Sequence, residues 1–253
     1  MSGSLSRRKL MAAGLTAAGG AAGLTVAARL AGRYGLIPPD WGGVYGPGET
    51  LTYACQRILT SGHSLAREFN RSQISKVAPV SGDPPKRGPY QRLLAAGFGD
   101  WRLSVDGLVA RPASFSLADL KRHPARTQIT EQTCEEGWSF VAEWTGMPFA
   151  DLMNTVGVLP QAKYAVFFPF DESWDSLDMQ DAWHAQTLLA YGMNGQDLPP
   201  DHGAPLRLKV PRQLGYKSVK YLSRVTFTDT LKNIGKGLGS SSPEYGYSWY
   251  AGI

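Results

Sequence analysis

The sequence contains little cysteine. Two cysteines among 253 residues exclude a disulfide-rich scaffold and a zinc site built from four cysteines. Charged residues make up only 19% of the chain and apolar residues 43%, a balance that excludes general disorder. No internal repeat and no heptad pattern is present. Turn-forming residues are plentiful, with 29 glycines and 17 prolines, and they predict a globular, loop-rich fold.

A basic excess is absent from the greater part of the chain, although the net charge is +5. The first 39 residues hold five basic residues and no acidic one. Removing these five from the 26 basic residues leaves 21 basic against 21 acidic residues in 40–253. Because nucleic-acid binding depends on basic surface, we expect no nucleic-acid partner for the folded part.

The N-terminus has the order of an export leader. Ser6-Arg7-Arg8-Lys9-Leu10 precedes residues 11–28, which are small and mildly apolar. Four glycines make this stretch a poor membrane span, and the adjacent arginines indicate twin-arginine export. A flexible basic tail and an uncleaved anchor are the alternatives. We expect a leader and linker in 1–39, one domain in 40–253, and a periplasmic or extracytoplasmic location, with membrane association if the leader is retained.

Local patterns predict a mixed α+β fold that is rich in strands. Trp101, Leu103 and Val105 alternate with polar residues, which indicates a half-buried strand ending at 106–107. Ser116 followed by Asp119 predicts a short helix. The other predicted elements are a helix within 51–65, a helix at 149–156 after Pro148, and strands at 127–130, 164–168, 188–193, 206–210 and 219–227.

Cys134 follows the predicted strand at 127–130 and precedes a tryptophan-rich segment that we expect to be a loop. A single cysteine is commonly a small buried apolar residue. A thiolate is also a strong ligand for a transition metal, and one thiolate can complete a coordination sphere whose other sulfurs come from a cofactor. A disulfide with Cys55 is a third alternative in an exported protein.

Two later segments carry groups that suit an anion. His202 and Arg207 flank a Gly-Ala-Pro turn, and a planar guanidinium can bind phosphate through two hydrogen bonds. The run Gly215-Tyr216-Lys217-Ser218-Val219-Lys220 offers lysines, a hydroxyl group and turn amides. A loop histidine beside a salt-bridged arginine, and lysines that are merely solvated, are the alternatives.

Taken together, these segments resemble the sulfite oxidase family, and more closely its exported bacterial molybdopterin oxidoreductases, which include the periplasmic methionine-sulfoxide reductases. The resemblance runs from about residue 75 to 229 in consistent order. It is carried by residues 134–139, 144–148, 188–195, 202–211 and 215–220.

The resemblance implies a sulfite-oxidase-type, molybdopterin-binding α+β fold with mixed sheets and short helices. It implies that Cys134 ligates molybdenum alongside the two dithiolene sulfurs of molybdopterin. It also implies that His202 and Arg207 hold the phosphate of the pterin.

Further cofactor contacts are implied for Ser218, Val219 and Lys220. Ser75 and Lys76 fall where the family places an earlier cofactor segment, although the Arg-Asn-His or Asn-Asn pattern usual there is absent.

The implied activity is oxygen-atom transfer on a small oxyanion or S-oxide substrate by a molybdenum-molybdopterin enzyme. A separate redox partner, a membrane cytochrome or a periplasmic electron carrier, would exchange the electrons. Sulfite oxidation is an alternative, as is a cofactor-free binding module on the same fold. We expect a bare molybdenum domain, without a haem-binding domain or the family's dimerisation domain, and we expect a monomer.

Two points on the reaction stay open in the sequence. Pro169 stands where the methionine-sulfoxide reductase branch has a threonine, and proline offers neither a hydroxyl group nor an amide proton. Asp175, Asp178, Asp181 and His184 are all candidates for a proton donor, and each is equally consistent with a helix cap or a surface charge.

Overall fold

A computed structural model describes residues 23, 25–27, 29–31, 36, 38, 46–60 and 64–253. The arginine pair and most of the predicted leader and linker lie outside these residues, and the described positions from 23 to 31 are helical. Among the described residues, no helix combines the length and the apolar character that a membrane crossing requires.

The domain alternates short helices with strands. Its helices are α1 (Pro47–Thr60), α2 (Pro89–Ala95), α3 (Leu117–Arg122), α4 (Phe149–Val156) and α5 (Met179–Ala182). Its strands are β1 (Arg102–Gly107), β2 (Ala113–Ser116), β3 (Arg126–Thr133), β4 (Ser139–Pro148), β5 (Tyr164–Pro169), β6 (Asp175–Asp178), β7 (Leu188–Met193), β8 (Gln196–Asp197), β9 (Arg207–Lys209) and β10 (Leu222–Thr228).

The strands form two sheets. The first has the order β2-β1-β10-β5-β6, in which β1 and β10 are parallel and the other neighbours are antiparallel. The second has the order β3-β4-β7-β8, and β9 also pairs with β7. The α+β class with mixed sheets and short helices is therefore confirmed.

The main core lies where the two sheets and α4 meet. It includes Val105 and Phe167 from the first sheet, Met147 and Leu208 from the second, and Leu152 from α4, all of them almost completely buried. A smaller cluster on the other face of the second sheet contains aromatic residues of β4. Apolar burial on this scale is the main stabilising contribution to the fold.

Helix α1 is attached to the domain through a buried charge cluster. Arg57 Nη1 donates to Asp181 Oδ1 at 3.0 Å, and the guanidinium also donates to Asp178. Tyr53 donates its hydroxyl proton to Asp178 Oδ2 at 2.9 Å. The paired charges satisfy one another, which is the condition for burying them.

Several predicted elements are confirmed by the fold. The helix opened by Ser116 is α3, where the Ser116 hydroxyl accepts from Asp119 N at 3.1 Å and the Asp119 carboxylate accepts from Ser116 N at 2.8 Å. The helix at 149–156 has the expected bounds, and the helix predicted within 51–65 is α1, which begins at Pro47.

Two expectations on secondary structure are wrong. The segment after Trp138 is not a loop but the ten-residue strand β4, in which the buried Phe140, Ala142 and Trp144 alternate with more exposed residues such as Ser139 and Val141. The strand predicted from Val219 begins only at Leu222, because 218–220 bend along a cavity instead.

Candidate cofactor site

A cavity of about 300 Å³ lies at the ends of the strands. Its wall is built from the loop 79–83, the end of β3 with the loop after it, the end of β5, and segments near 201–207, 215–221 and 241–242. Of the residues predicted to form the site, it brings together Cys134, His202, Arg207, Ser218, Val219 and Lys220. Ser75 and Lys76 do not line it. Instead, Ser75 pairs with the edge of β4, where its Oγ accepts from Val141 N at 3.0 Å.

Cys134 is presented by the turn that follows β3. Its amide donates to Trp138 O at 2.8 Å, and Gly137 N donates to Cys134 O at 3.1 Å. Its thiol donates to Glu135 Oε2 at 3.4 Å. Burial, reinforced by the Glu135 charge, raises the pKa of the thiol to about 11, so a nearby cation is needed to stabilise the thiolate at neutral pH.

Both cysteines are free thiols. Cys55 lies exposed on α1, whereas Cys134 is 6% exposed inside the cavity wall. The alternative of a Cys55 to Cys134 disulfide is therefore wrong, and the Cys134 sulfur is available to a ligand.

Arg207 places a buried positive charge at the cavity. Its Nη1 donates to His202 O and its Nη2 to Ser218 O, both at 2.9 Å. Among the described residues it has no carboxylate partner. Burial lowers the pKa of the guanidinium to about 10, so an anion in the cavity would supply the missing charge compensation.

His202 is a neutral member of the wall. Burial, together with the charges of Arg207 and Lys220, lowers the pKa of its imidazole to about 4. Its ring packs against Phe140 with 5.7 Å between the centroids. At neutral pH the ring therefore offers one hydrogen-bond donor and one acceptor rather than a charge.

The turn after His202 requires glycine. Gly203 has φ 108°, and a Cβ placed there would lie 2.9 Å from Lys220 Cβ. The absence of a side chain lets the 201–203 turn pack directly on the 218–220 segment. These two segments thus form one continuous part of the cavity wall.

Lys220 and Ser218 are held by main-chain groups. Lys220 Nζ donates to Ser81 O at 2.8 Å and to Asp201 O at 3.1 Å, which ties the loop 79–83 to the turn. Burial lowers the pKa of Lys220 to about 8. Ser218 Oγ accepts from Val210 N at 3.0 Å. Lys217 does not present its ammonium group to the cavity. It is buried and paired with Asp175.

A second buried cation was not predicted. Lys209, on β9, is 1% exposed. Lys209 Nζ and Arg207 Cζ lie 5.2 and 5.1 Å from the Trp144 ring centroid. Burial and the neighbouring guanidinium lower the pKa of Lys209 well below its usual value. Lys209 does not itself line the cavity, but it lies on the same Trp144 ring as the Arg207 guanidinium, which does.

Most of the acidic candidates are occupied elsewhere. Asp178 and Asp181 bind the Arg57 side chain and lie outside the cavity wall, as does His184, whose Nε2 lies 3.2 Å from Ser64 O. Asp175 does line the cavity, and burial raises the pKa of its carboxyl group despite the pairing with Lys217.

The donor set at the cavity suits a metal that brings its own ligands. Among the described residues, no group of three or more His, Cys, Asp or Glu side chains could hold a metal ion. A soft metal bound by Cys134 would therefore need further ligands from a cofactor, and the uncompensated Arg207 charge suits a cofactor that carries phosphate. The residues present fit a molybdopterin group on both counts.

The sequence profile of the oxidoreductase molybdopterin binding domain matches residues 91–233. The chain belongs to this family. The matched span contains Cys134, His202 and Arg207, whereas Ser75 and Lys76 precede it. The resemblance to sulfite-oxidase-type molybdopterin enzymes is confirmed, and the protein is an oxidoreductase.

Two relatives resemble this chain over different shares of its length. YedZ1 of Azospira oryzae, which carries the name of a protein-methionine-sulfoxide reductase subunit, is 36% identical over 200 residues, 78% of this chain and 71% of that protein. MsrP of Ralstonia nicotianae, a protein-methionine-sulfoxide reductase catalytic subunit, is 37% identical over 145 residues, 51% of this chain and 44% of that one.

A solved structure of the same fold is also similar. The sulfane dehydrogenase SoxCD of Paracoccus pantotrophus superimposes with a TM-score of 0.50 at 29% identity. The superposition covers 52% of this chain and 39% of the SoxCD chain. The sulfite-oxidase-type fold is thereby supported by structure as well as by sequence.

Part of the cavity wall was not predicted from the sequence. Gln132 and Trp174 line the cavity, as do the loop 79–83 and Ser241. Only Gln132 could have been predicted from the sequence. It stands two residues before Cys134, and every second side chain along a strand points to the same face. The other segments reach the cavity through long-range packing.

Proposed function

We propose that this protein is an exported molybdenum-molybdopterin oxidoreductase that reduces an S-oxide, with a methionine sulfoxide as the substrate class. The observation that carries the proposal is the placement of two groups in the wall of one cavity, the Cys134 thiol and the buried Arg207 guanidinium, which has no carboxylate partner among the described residues. The names of YedZ1 and MsrP support the substrate class.

Different side chains would bind the metal and the phosphate of the cofactor. Cys134 would supply one sulfur ligand to the metal, while Arg207, His202 and Lys220 would bind the pterin phosphate. Ser218 can still donate its hydroxyl proton to the same group. When bound, the molybdenum centre supplies the two-electron chemistry of oxygen-atom transfer, and the chain supplies position and electrostatics.

The charge of the wall favours a neutral substrate over sulfite. Among the carboxylates that line the cavity, Asp83 and Asp175 are paired with Lys86 and Lys217. Glu135, Asp171 and Asp201 remain, and the pterin phosphate would occupy the two lining cations, Arg207 and Lys220. Arg207 is the only arginine among the described lining residues. An anionic substrate would meet net repulsion here, whereas an S-oxide would not. This argues against sulfite oxidation.

Metal analysis of the protein after export from its native host tests the proposal. We expect molybdenum and molybdopterin near one per chain, with turnover of methionine sulfoxide by a reduced dye and little turnover of sulfite with a ferric acceptor. A folded, exported sample without molybdenum would support the cofactor-free binding module instead. Faster turnover of sulfite would assign the reaction to sulfite oxidation.

Export and electron supply belong to the same proposal. Residues 1–39 would act as a twin-arginine leader and linker for the single domain 40–253, and a membrane cytochrome or periplasmic electron carrier would deliver the electrons to a monomer. The naming of both relatives as subunits supports a separate partner. Replacing Arg7 and Arg8 by lysine should retain the protein in the cytoplasm, and unchanged export would contradict the assigned route.

A further inference from the structure

Gln132 is a buried side chain in the cavity wall whose amide nitrogen lacks a protein acceptor. The residue is 5% exposed and lies on β3. Its Oε1 accepts from Lys209 Nζ at 2.7 Å. Its Nε2 donates to no acceptor among the residues that the structure describes. Since Gln132 lines the cavity, this unused donor is available to a ligand that offers a hydrogen-bond acceptor there.

The direction of the amide group is fixed by its neighbour. Lys209 Nζ also donates to Glu131 O at 2.8 Å and lies over the Trp144 ring. The atom of Gln132 that faces this donor at 2.7 Å is the amide oxygen, which accepts the hydrogen bond. The nitrogen is consequently turned away from Lys209.

The nitrogen lies close to Cys134. Gly215, which also lines the cavity, packs against both residues: a Cβ built on it would lie 2.7 Å from Gln132 Nε2 and 3.6 Å from Cys134 Cα. Only glycine at 215 leaves this space free. The donor therefore opens onto the same small region of the cavity as the thiol.

We propose that Gln132 Nε2 donates a hydrogen bond to an oxygen atom of the ligand bound beside Cys134, and that Lys209 is the positioning residue that presets this donor. The inference rests on the proposed function. The oxygen belongs either to the cofactor or to the S–O group of the substrate, and the two sources are separable by experiment.

The test compares Gln132→Leu and Gln132→Glu with Gln128→Leu in the natively exported holoenzyme. Gln132→Glu keeps the shape and the contact with Lys209 but removes the donor at neutral pH, so it guards against a fold defect in the leucine variant. Gln128 is a matched control, since it is a buried amide on the same strand that donates to Gln186 O at 2.9 Å outside the cavity. Molybdopterin content per chain, and KM and kcat for methionine sulfoxide, are measured for each variant.

Loss of one neutral hydrogen bond should change either KM or the molybdopterin content per chain about three- to tenfold. A rise in KM at unchanged cofactor content and similar kcat assigns the oxygen to the substrate, whereas a fall in cofactor content assigns it to the cofactor. Lys209→Met should give a smaller change of the same kind, because the amide is then free to turn. If the Gln132 variants match Gln128→Leu in molybdopterin content and KM, the inference about Gln132 is overturned but the proposed function is not. A wild-type protein without molybdopterin would contradict the proposed function as well.

Discussion

Arg207 and Ser218 stand eleven positions apart in the chain and are joined by a 2.9 Å hydrogen bond from the Nη2 of the arginine to the main-chain oxygen of the serine. With the matching bond to His202 O, the guanidinium fixes the two loops that flank it. The group is thus held in place by carbonyl oxygens, which orient it without neutralising its charge.

Replacing Arg207 by methionine should remove most of the phosphate affinity. A hydrogen bond to a charged group contributes about 1.5–3 kcal/mol, so we expect molybdopterin occupancy to fall at least tenfold at limiting cofactor. The measurement is the fluorescence of the oxidised pterin released from purified protein. Arg224→Met, which changes an exposed arginine outside the cavity, is the control and should retain its cofactor.

Gly203→Ala should perturb the wall more than the same change at Gly246. Both residues have positive φ, so alanine at either position lowers the stability by about 1 kcal/mol or more through backbone strain. Only at Gly203 would the new Cβ meet another side chain, that of Lys220, at 2.9 Å. Urea unfolding should show a larger loss of stability for Gly203→Ala, and equal losses would refute the tight packing of these two segments.

His184 should make the protein less stable in mild acid. Burial, with the nearby Arg212 charge, lowers the pKa of its imidazole from 6.5 to about 4. Between these values the unfolded chain binds the additional proton, so the stabilisation is complete above pH 6.5 and is lost as the pH falls to 4. The free energy of unfolding, measured across this range, should fall less steeply in His184→Gln, and an unchanged slope would contradict the assignment.

Arg57→Met should detach α1 from the domain. Removing one partner from a buried ion cluster leaves Asp178 without its cation and Asp181 with only the more distant Arg212, at 3.8 Å, which costs about 3–5 kcal/mol. Chemical unfolding and proteolysis of the 47–60 segment measure the effect. Leu59→Ala on the same helix is the control, because Leu59 is 84% exposed and its truncation should be nearly neutral.

The sequence was sufficient to predict those helices whose ends are marked by local capping residues. Pro148 and the left-handed Gly157 bound α4, and the reciprocal bonds of Ser116 and Asp119 open α3. Strand β4 was not predicted, although its apolar Phe140, Ala142 and Trp144 recur at every second position, which is the pattern of a half-buried strand.

The candidate site was predictable in part. Cys134, His202 and Arg207 were candidates from their residue types, the family resemblance assigned their roles, and the three residues share one cavity in the fold. The pairing of Gln132 with Lys209 joins positions 77 residues apart. A lysine in a turn is normally solvent-exposed, whereas Lys217 is buried and paired with Asp175. Both depend on tertiary packing, which no local pattern encodes.

X-ray absorption at the molybdenum edge, on wild-type and Cys134→Ser protein purified after native export, tests whether Cys134 ligates the metal. We expect molybdenum in the wild type with a sulfur shell that loses one neighbour in the variant. Absence of molybdenum from the folded wild type, or an identical sulfur shell in both proteins, would contradict it.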